Sequence, residues 1–189
     1  MPQIIETHRD HFTISTDPAR LDVDAICDFL TRAYWASGRP RERTERALKN
    51  SLVFGVYDGK RQIGLARIVS DYAIFAYLCD VFIHEDYRAH GLGKWLMQTI
   101  HSHPDLQGLR RWTLATRDAH GLYRQFGWDA LANPDGWMEM LRPYPGEDIT
   151  SVCHHTQTGA GEVIAPPPSM DLLRRDPACR RRACFGRDR

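Results

Sequence analysis

A short glycine-containing turn between a strand and a helix constrains the fold of this chain more than any other segment. The turn consists of Arg88, Ala89, His90, Gly91, Leu92 and Gly93. It follows the strand-like run 76–83 and precedes an apolar-periodic helix at 94–100. Such a turn leaves backbone N–H groups unpaired at the positive end of a helix dipole. The pattern predicts a pyrophosphate site, to which Arg88 adds a fixed positive charge.

Two well-known phosphate-binding motifs do not fit this turn. A nucleoside-triphosphate loop requires Ser or Thr after its lysine, whereas Trp95 follows Lys94. A dinucleotide-binding fingerprint requires a third glycine where Leu96 stands. From these six residues alone, an ordinary strand–helix connection whose glycines only make the turn remains an alternative.

A second motif follows the glycine-containing turn about 20 to 35 residues further along the chain. Residues 111–116 are typical of a buried strand, and residues 118–128 of a short helix that ends at Gly127. The helix carries the pattern Ala-x-x-Leu-Tyr-x-x-x-Gly, in which the tyrosine is Tyr123. Together, the Arg-x-x-Gly-x-Gly turn and this element resemble the GCN5-related N-acetyltransferases, the GNAT superfamily, in its small bacterial-type members. The resemblance covers roughly residues 10–142.

The resemblance implies an α/β fold, the GNAT fold, with a mixed central sheet, a splayed parallel strand pair and helices on both faces. The sequence pattern predicts strands at 11–16, 52–57, 62–69, 73–83, 112–116 and near 137–141. It predicts helices from an Asp22 or Asp24 cap to Trp35, at 41–50, at 94–102 and around Tyr123. The dipeptide Asp58-Gly59 predicts a hairpin between the second and third strands.

The resemblance also implies acetyl-CoA as co-substrate. In GNAT enzymes the pantetheine arm fills the gap between the splayed strands like an added strand. By position, the backbone groups of Val81, Phe82 and Ile83 would pair with that arm. The pyrophosphate would be held by Arg88, Ala89, His90, Gly91, Leu92 and Gly93.

The catalytic acid implied by the resemblance is Tyr123, which falls where the family places a proton donor near the CoA sulfur. A phenol with a pKa of about 10 is a reasonable donor to a departing thiolate. The alternative is a tyrosine that only packs on the core.

The catalytic base is less well defined, because Cys79 and Tyr77 occupy the positions where related enzymes carry glutamate. Asp80 is the nearest carboxylate, and it is either a base or a structural anchor. His84 and His120 are further candidates with suitable intrinsic pKa values. No dedicated base is needed if the amine arrives with a lowered pKa.

The acceptor site implied by the resemblance includes Tyr34, Trp35 and Arg39, with Arg41, Glu42 and Trp137 nearby. An aromatic wall with mixed charges suits the primary amine of a small metabolite, acetylated by direct transfer. A protein N-acetyltransferase, and a module that binds acyl-CoA without catalysis, remain alternatives.

The composition also bears on which classes of binding partner the protein has. The net charge is +1, so the chain lacks the global basic field of a nucleic-acid-binding protein. No apolar run approaches the about 20 residues that span a bilayer, and no secretory signal is visible. We therefore expect a cytoplasmic monomer or homodimer without nucleic-acid or membrane partners.

The five cysteines form no disulfide framework and no recognisable zinc pattern, because no Cys-x2-Cys is present. We expect free thiols and no metal.

The composition changes near residue 144. Residues 145–189 contain few large apolar side chains, a Pro166-Pro167-Pro168 run and arginine pairs and triplets. We therefore expect an acetyltransferase domain at 1–144 and a disordered Pro- and Arg-containing tail at 145–189.

Deletion of residues 145–189 tests this boundary. Because the motifs end before residue 144, the truncated protein should bind acetyl-CoA with the affinity of the full chain and melt within a few degrees of it. Thermal denaturation with and without acetyl-CoA measures both. A large loss of stability would show that the domain extends beyond residue 144.

Overall fold

The computed structural model describes residues 2–142 and 144 of the chain, and these contain one six-stranded mixed sheet with helices on both faces. The strands are β1 Glu6–Arg9, β2 Phe12–Ser15, β3 Leu52–Asp58, β4 Arg61–Ser70, β5 Phe75–Ile83 and β6 Arg111–Thr113. The helices are α1 Val23–Arg32, α2 Arg41–Lys49, α3 Leu92–Ser102 and α4 His120–Tyr123. Strands follow chain order across the sheet, and only β5 and β6 are parallel. The predicted fold class is confirmed.

Helix α1 begins where the sequence predicts. The carboxylate of Asp22 accepts the backbone N–H of Ala25 at 3.0 Å, which satisfies one of the unpaired donors of the first turn. The helix buries Ile26, Phe29 and Leu30 on one face. It ends at Arg32, because Ala33 is extended, so the prediction of a helix to Trp35 was wrong by about one turn.

An apolar layer packs against each of the two faces of the sheet. On one face, α3 buries Leu96, Met97 and Ile100 against the strands. On the other face, α1 and α2 pack on the sheet, and the ring of Phe29 stacks on that of Phe82 in β5 with centroids 3.7 Å apart. The splayed end of β5 is therefore supported on both sides.

The N-terminal part of the sheet differs from the prediction of one strand. The predicted segment 11–16 corresponds to β2, which pairs with the additional strand β1 through a turn at Asp10, a residue with φ +55°. All four residues of β1 are polar and none is buried, so no apolar alternation in the sequence indicated this strand.

The C-terminal part of the described chain also differs from the prediction. Residues Trp137–Leu141 form no strand, and the side chain of Met138 is 98% exposed. Strand β6 ends at Thr113, three residues before the predicted end. Helix α4 is a single turn, extended by a 3₁₀ turn at Arg124–Phe126 and stopped by Gly127 at φ +82°.

The predicted tail at 145–189 lies outside the described residues, so the domain boundary remains a prediction. Within the described part of the chain, no helix is long and apolar enough to cross a membrane.

Candidate active site

The parallel strands β5 and β6 separate after three pairs of residues. Their last pair is Tyr77 with Thr113, where β6 ends, while β5 continues to Ile83. On its other side, β5 stays paired with β4 as far as Gly64. Residues 78–83 therefore present one backbone edge to a gap, the geometry that accepts an extended ligand as an added strand.

The alternation of β5 determines which residues face this gap. The N–H of His84 donates to the carbonyl of Ile63 at 2.7 Å, so His84 faces β4. Because successive residues of a strand face opposite edges, Ile83 and, two residues earlier, Val81 turn their backbone groups to the gap. Phe82, also expected to bind the cofactor, is opposite Leu65 and turns its backbone to β4.

The predicted pyrophosphate turn lies directly after this edge. Ala89 and Gly91 both have positive φ, at +68° and +70°, and Gly91 is the N-cap of α3. The backbone N–H of Trp95 donates to the carbonyl of Gly91, and it is the first N–H of the helix that has a partner within the helix. The preceding amides of the helix are therefore directed out of its N-terminus, where an anion is stabilised.

Two arginines approach the turn from different elements. The side chain of Arg88 is 62% exposed, and it forms a long ion pair with Glu85 at 3.7 Å. Arg9 of β1 donates to the carbonyl of His90 at 3.0 Å, and its guanidinium lies 4.8 Å from the Trp95 ring centroid. Arg9 was not predicted from the sequence, because it lies 81 residues from its partner along the chain.

A β-bulge lies at the point where β5 leaves β6. Between the pairs of Cys79 with Arg67 and of Phe82 with Leu65, β5 has one residue more than β4. Asp80, one of the two residues in the bulge, has φ +51°, a conformation that few non-glycine residues adopt. The bulge changes the direction of the strand edge just before Val81.

The side chain of Asp80 holds this bulge in place. Its carboxylate is 3% exposed and receives Nη1 of Arg39 at 3.0 Å and Nε of Arg67 at 2.8 Å. Burial alone would raise the pKa of Asp80, but the hydrogen bonds and charges of the two arginines outweigh it and lower the pKa below its usual value. A carboxylate so stabilised is a weak base, and this geometry favours the structural-anchor alternative for Asp80.

Tyr123 lies in the apolar core beside the gap. The residue is 8% exposed and belongs to the same packed cluster as Val81 and Ile83. Burial raises the pKa of its phenol to about 12, so the hydroxyl carries its proton at neutral pH. It also lines a pocket of about 390 Å³ formed by the end of β6, α4 and the residues that follow each of them.

The connection between α1 and α2 reaches across to the segment after β6. The hydroxyl of Tyr34 accepts the backbone N–H of Arg117 at 3.1 Å, and the Arg117 guanidinium lies 3.8 Å from the Tyr34 ring centroid. Trp35 packs edge-on against Tyr34 with centroids 5.0 Å apart. The aromatic residues predicted for the acceptor site are thus placed together, whereas Arg39 is bonded to Asp80.

The remaining predicted residues have separate surroundings. His84 accepts the N–H of Asp86 and caps a short 3₁₀ turn, whereas His120 lines the pocket of Tyr123. Arg41 pairs with Asp24 and Glu45 at the protein surface. Trp137 packs on the Arg111 guanidinium at 5.4 Å.

No group of three potential metal ligands is present among residues 2–142 and 144. Cys27 and Cys79 are free thiols. Burial raises the pKa of the Cys79 thiol to about 12, which leaves it protonated and unreactive. The other three cysteines, at 153, 179 and 184, lie outside the described residues.

Comparison with known families gives one matching domain. Residues 49–130 match the acetyltransferase (GNAT) domain. This segment runs from the end of α2 to the residues after α4, and it includes β5, the bulge, the turn and Tyr123.

Individual proteins agree with the domain match. A "Putative acetyltransferase" of Gibberella zeae is 33% identical over 138 residues, which are 61% of this chain and 77% of that protein. The crystal structure of a GNAT family protein from Xanthomonas campestris pv. campestris has a TM-score of 0.69 and 44% identity, over 72% of this chain and 96% of that chain. A GNAT family acetyltransferase from Elizabethkingia anophelis, solved with acetyl-CoA bound, has a TM-score of 0.51 at 14% identity, over 71% of this chain and 90% of that chain.

The variant Asp80→Asn tests the anchor role. Removing the charge leaves two largely buried arginines without their counter-ion, which should lower the free energy of unfolding by about 3–5 kcal/mol at pH 7. Because the folded pKa of Asp80 is lowered, its stabilisation is complete above the unfolded pKa of about 3.9 and is lost as the pH falls through the folded pKa. Denaturant titrations should therefore show a difference that shrinks below about pH 4.

Asp24→Asn is the matched control, because Asp24 forms a surface ion pair in which its side chain is 79% exposed. It should change stability by less than about 1 kcal/mol. If Asp80→Asn folds with wild-type stability and its loss of turnover shrinks as the pH rises, Asp80 is a base and not an anchor.

Proposed function

The chain belongs to the GNAT acetyltransferase family, and from this premise we propose that it transfers the acetyl group of acetyl-CoA directly to a primary amine of a small metabolite. The proposal rests on two features that follow each other directly along the chain. The strand has a free backbone edge beside the gap, and the chain then enters the turn of positive φ residues that opens α3.

These two features match the two chemically distinct parts of CoA. The amide-containing pantetheine arm can hydrogen-bond to a strand edge, for which Val81 and Ile83 provide the backbone groups. The pyrophosphate needs amide donors and positive charge, which the N-terminus of α3, Arg88 and Arg9 provide. The acetyl-CoA bound in the Elizabethkingia anophelis structure supports the same co-substrate here.

Acetyl transfer requires a neutral amine, stabilisation of the tetrahedral oxyanion and protonation of the leaving thiolate. Tyr123 would supply the proton. Its raised pKa makes it a weaker acid than an exposed tyrosine, but a thiolate leaving into the same apolar surroundings is also a stronger base than in water. The apolar surroundings therefore raise the pKa of both the Tyr123 phenol and the CoA thiol, and proton transfer between them remains feasible.

The amine would lose its proton without a strong base from the enzyme. Asp80 is held ionised by two arginines and has a lowered pKa. Tyr77, which occupies a position where related enzymes carry glutamate, has its pKa raised by burial. We infer that the amine loses its proton to solvent before it attacks, which predicts turnover that rises with pH as the free amine becomes abundant.

Gly93→Ala tests the cofactor site. An added Cβ at this position meets only Leu122 at 3.8 Å, so the fold has room for it. The methyl group would nevertheless occupy the space through which a phosphate approaches the helix amides, and acetyl-CoA should bind more weakly by tenfold or more. Calorimetry with acetyl-CoA measures this.

Gln98→Ala, on an exposed face of the same helix, is the control and should bind acetyl-CoA like the wild type. Equal affinities for Gly93→Ala, Gln98→Ala and the wild type would contradict the pyrophosphate site.

Tyr123→Phe tests the chemistry. The substitution removes one hydroxyl and retains the packed ring, so stability and acetyl-CoA affinity should remain. Loss of a general acid should lower turnover by ~10²–10⁴-fold. The measurement is thiol release from acetyl-CoA with a panel of small amines, and Tyr72→Phe, in an exposed turn, is the control.

Full turnover in Tyr123→Phe would exclude it as the proton donor. If wild-type protein binds acetyl-CoA but releases no thiol with any amine, the non-catalytic acyl-CoA-binding alternative is correct instead.

A further inference from the structure

A strongly basic pocket lies on the α2 side of the sheet, apart from the turn at α3. Its volume is about 410 Å³. The residues that line it are Arg39, Arg43, Arg46, Ala47, Asn50, Arg67 and Tyr144. Among the described residues, four arginines and no carboxylate therefore line this pocket.

The inner part of the pocket is fixed by contacts within the sheet. The side chains of Arg39 and Arg67 are each 13% exposed and share the carboxylate of Asp80. Arg67 also donates through Nη1 to the hydroxyl of Ser51 at 3.0 Å. These contacts hold both guanidinium groups in one orientation, so a ligand would meet preorganised donors.

The outer part of the pocket carries positive charge that no carboxylate in the described part of the chain neutralises. Arg43 and Arg46 are three residues apart and therefore share one face of α2. Within the described residues, neither forms an ion pair, whereas Arg41 on the same helix pairs with both Asp24 and Glu45. The Arg43 guanidinium lies 5.8 Å from the ring centroid of Tyr144.

The charges of the pocket are unbalanced. Of the carboxylates in residues 2–142, Asp80 contacts two of the pocket arginines, and it offsets one of four positive charges. Like charges gathered in one concavity repel each other, and an anion would relieve this repulsion. Arginine is also the side chain best suited to grip a carboxylate or phosphate through two parallel N–H donors.

The residues of the pocket adjoin both the gap edge of β5 and the connection between α1 and α2. Arg67 is opposite Cys79, the residue before Asp80, and the bulge at Asp80 precedes the gap edge of β5. Arg39 ends the connection that carries Tyr34 and Trp35. The pocket therefore opens on the face of the sheet covered by α1 and α2, opposite to α3 and its turn.

We propose that this pocket binds an anionic group of the acceptor, a carboxylate or a phosphate, and thereby directs the amine of the same molecule to the gap. This inference rests on the proposed function and specifies its substrate as an anionic amine. Arg43 and Arg46 determine specificity, whereas Arg39 and Arg67 form the inner wall of the pocket.

The test uses the full chain and two pairs of amines that differ in the anionic group: glycine with glycinamide, and O-phosphoethanolamine with ethanolamine. Wild-type protein should acetylate at least one anionic member with a higher kcat/KM than its neutral partner at the same concentration of free amine. The pair in which this occurs distinguishes carboxylate from phosphate.

Arg43→Gln and Arg46→Gln should each lower the ratio of kcat/KM for the anionic member to that for its neutral partner by about 10- to 100-fold, the effect of one charged hydrogen bond. Lys49→Gln is the matched control, since Lys49 is an exposed cation of α2 outside the pocket, and the ratio should not change. An equal decrease for both members of a pair, or the same decrease in Lys49→Gln, would overturn the proposal.

A titration with inorganic phosphate separates this proposal from the proposed function. Binding that is lost in Arg43→Gln but retained in Lys49→Gln supports the pocket even if no amine is acetylated, and that result would reject only the acetyltransferase activity. Preference for the neutral amines together with no phosphate binding would reject the anion pocket while leaving the activity in place.

Discussion

The shared ion pairs of Asp80 with Arg39 and Arg67 are the contacts on which the site depends. They hold a non-glycine residue at φ +51° within a β-bulge, at the place where β5 diverges from β6. Without a compensating contact, that backbone conformation is unfavourable, and the strand would tend to straighten. The same carboxylate attaches the α1–α2 connection to the sheet through Arg39. One buried anion thus shapes the gap edge of β5 and fixes the α1–α2 connection against the sheet.

The sheet separates two electrostatic environments with different tasks. On the α3 side, backbone amides and two arginines form a site suited to a pyrophosphate. On the α2 side, side-chain guanidinium groups form the pocket that we assign to the acceptor. The gap beyond Thr113 lies between the two sides, and Tyr123 packs with the residues of its edge. This arrangement is compatible with direct transfer, because a donor and an acceptor bound on different faces of the sheet could meet at the gap.

The sequence predictions were more accurate for features that depend on neighbouring residues than for features that depend on residues far apart along the chain. The Asp22 cap and the Asp58-Gly59 hairpin depend on neighbouring residues, and both are found in the structure. Helix α3 begins at Leu92, two residues before its predicted start. A strand at 137–141 was expected from an apolar pattern, but a short apolar segment forms a strand only where a sheet edge pairs with it. The separate roles proposed for Asp80 and Arg39 were likewise incomplete, because a pattern could not reveal that the two residues bind each other.

The sequence alone determined the family, the layout of strands and helices around β5, and the turn that leads into α3. These features follow from local conformational preferences, such as glycine at positive φ and a free helix N-terminus, which act within a few residues. Tertiary structure alone decided that Asp80 is ionised and held by two arginines, that Arg9 reaches the turn, and that four arginines share one pocket. The contacts of Asp80 with its arginines and of Arg9 with the turn join residues 13 to 81 positions apart, and only folding brings them within a few ångströms.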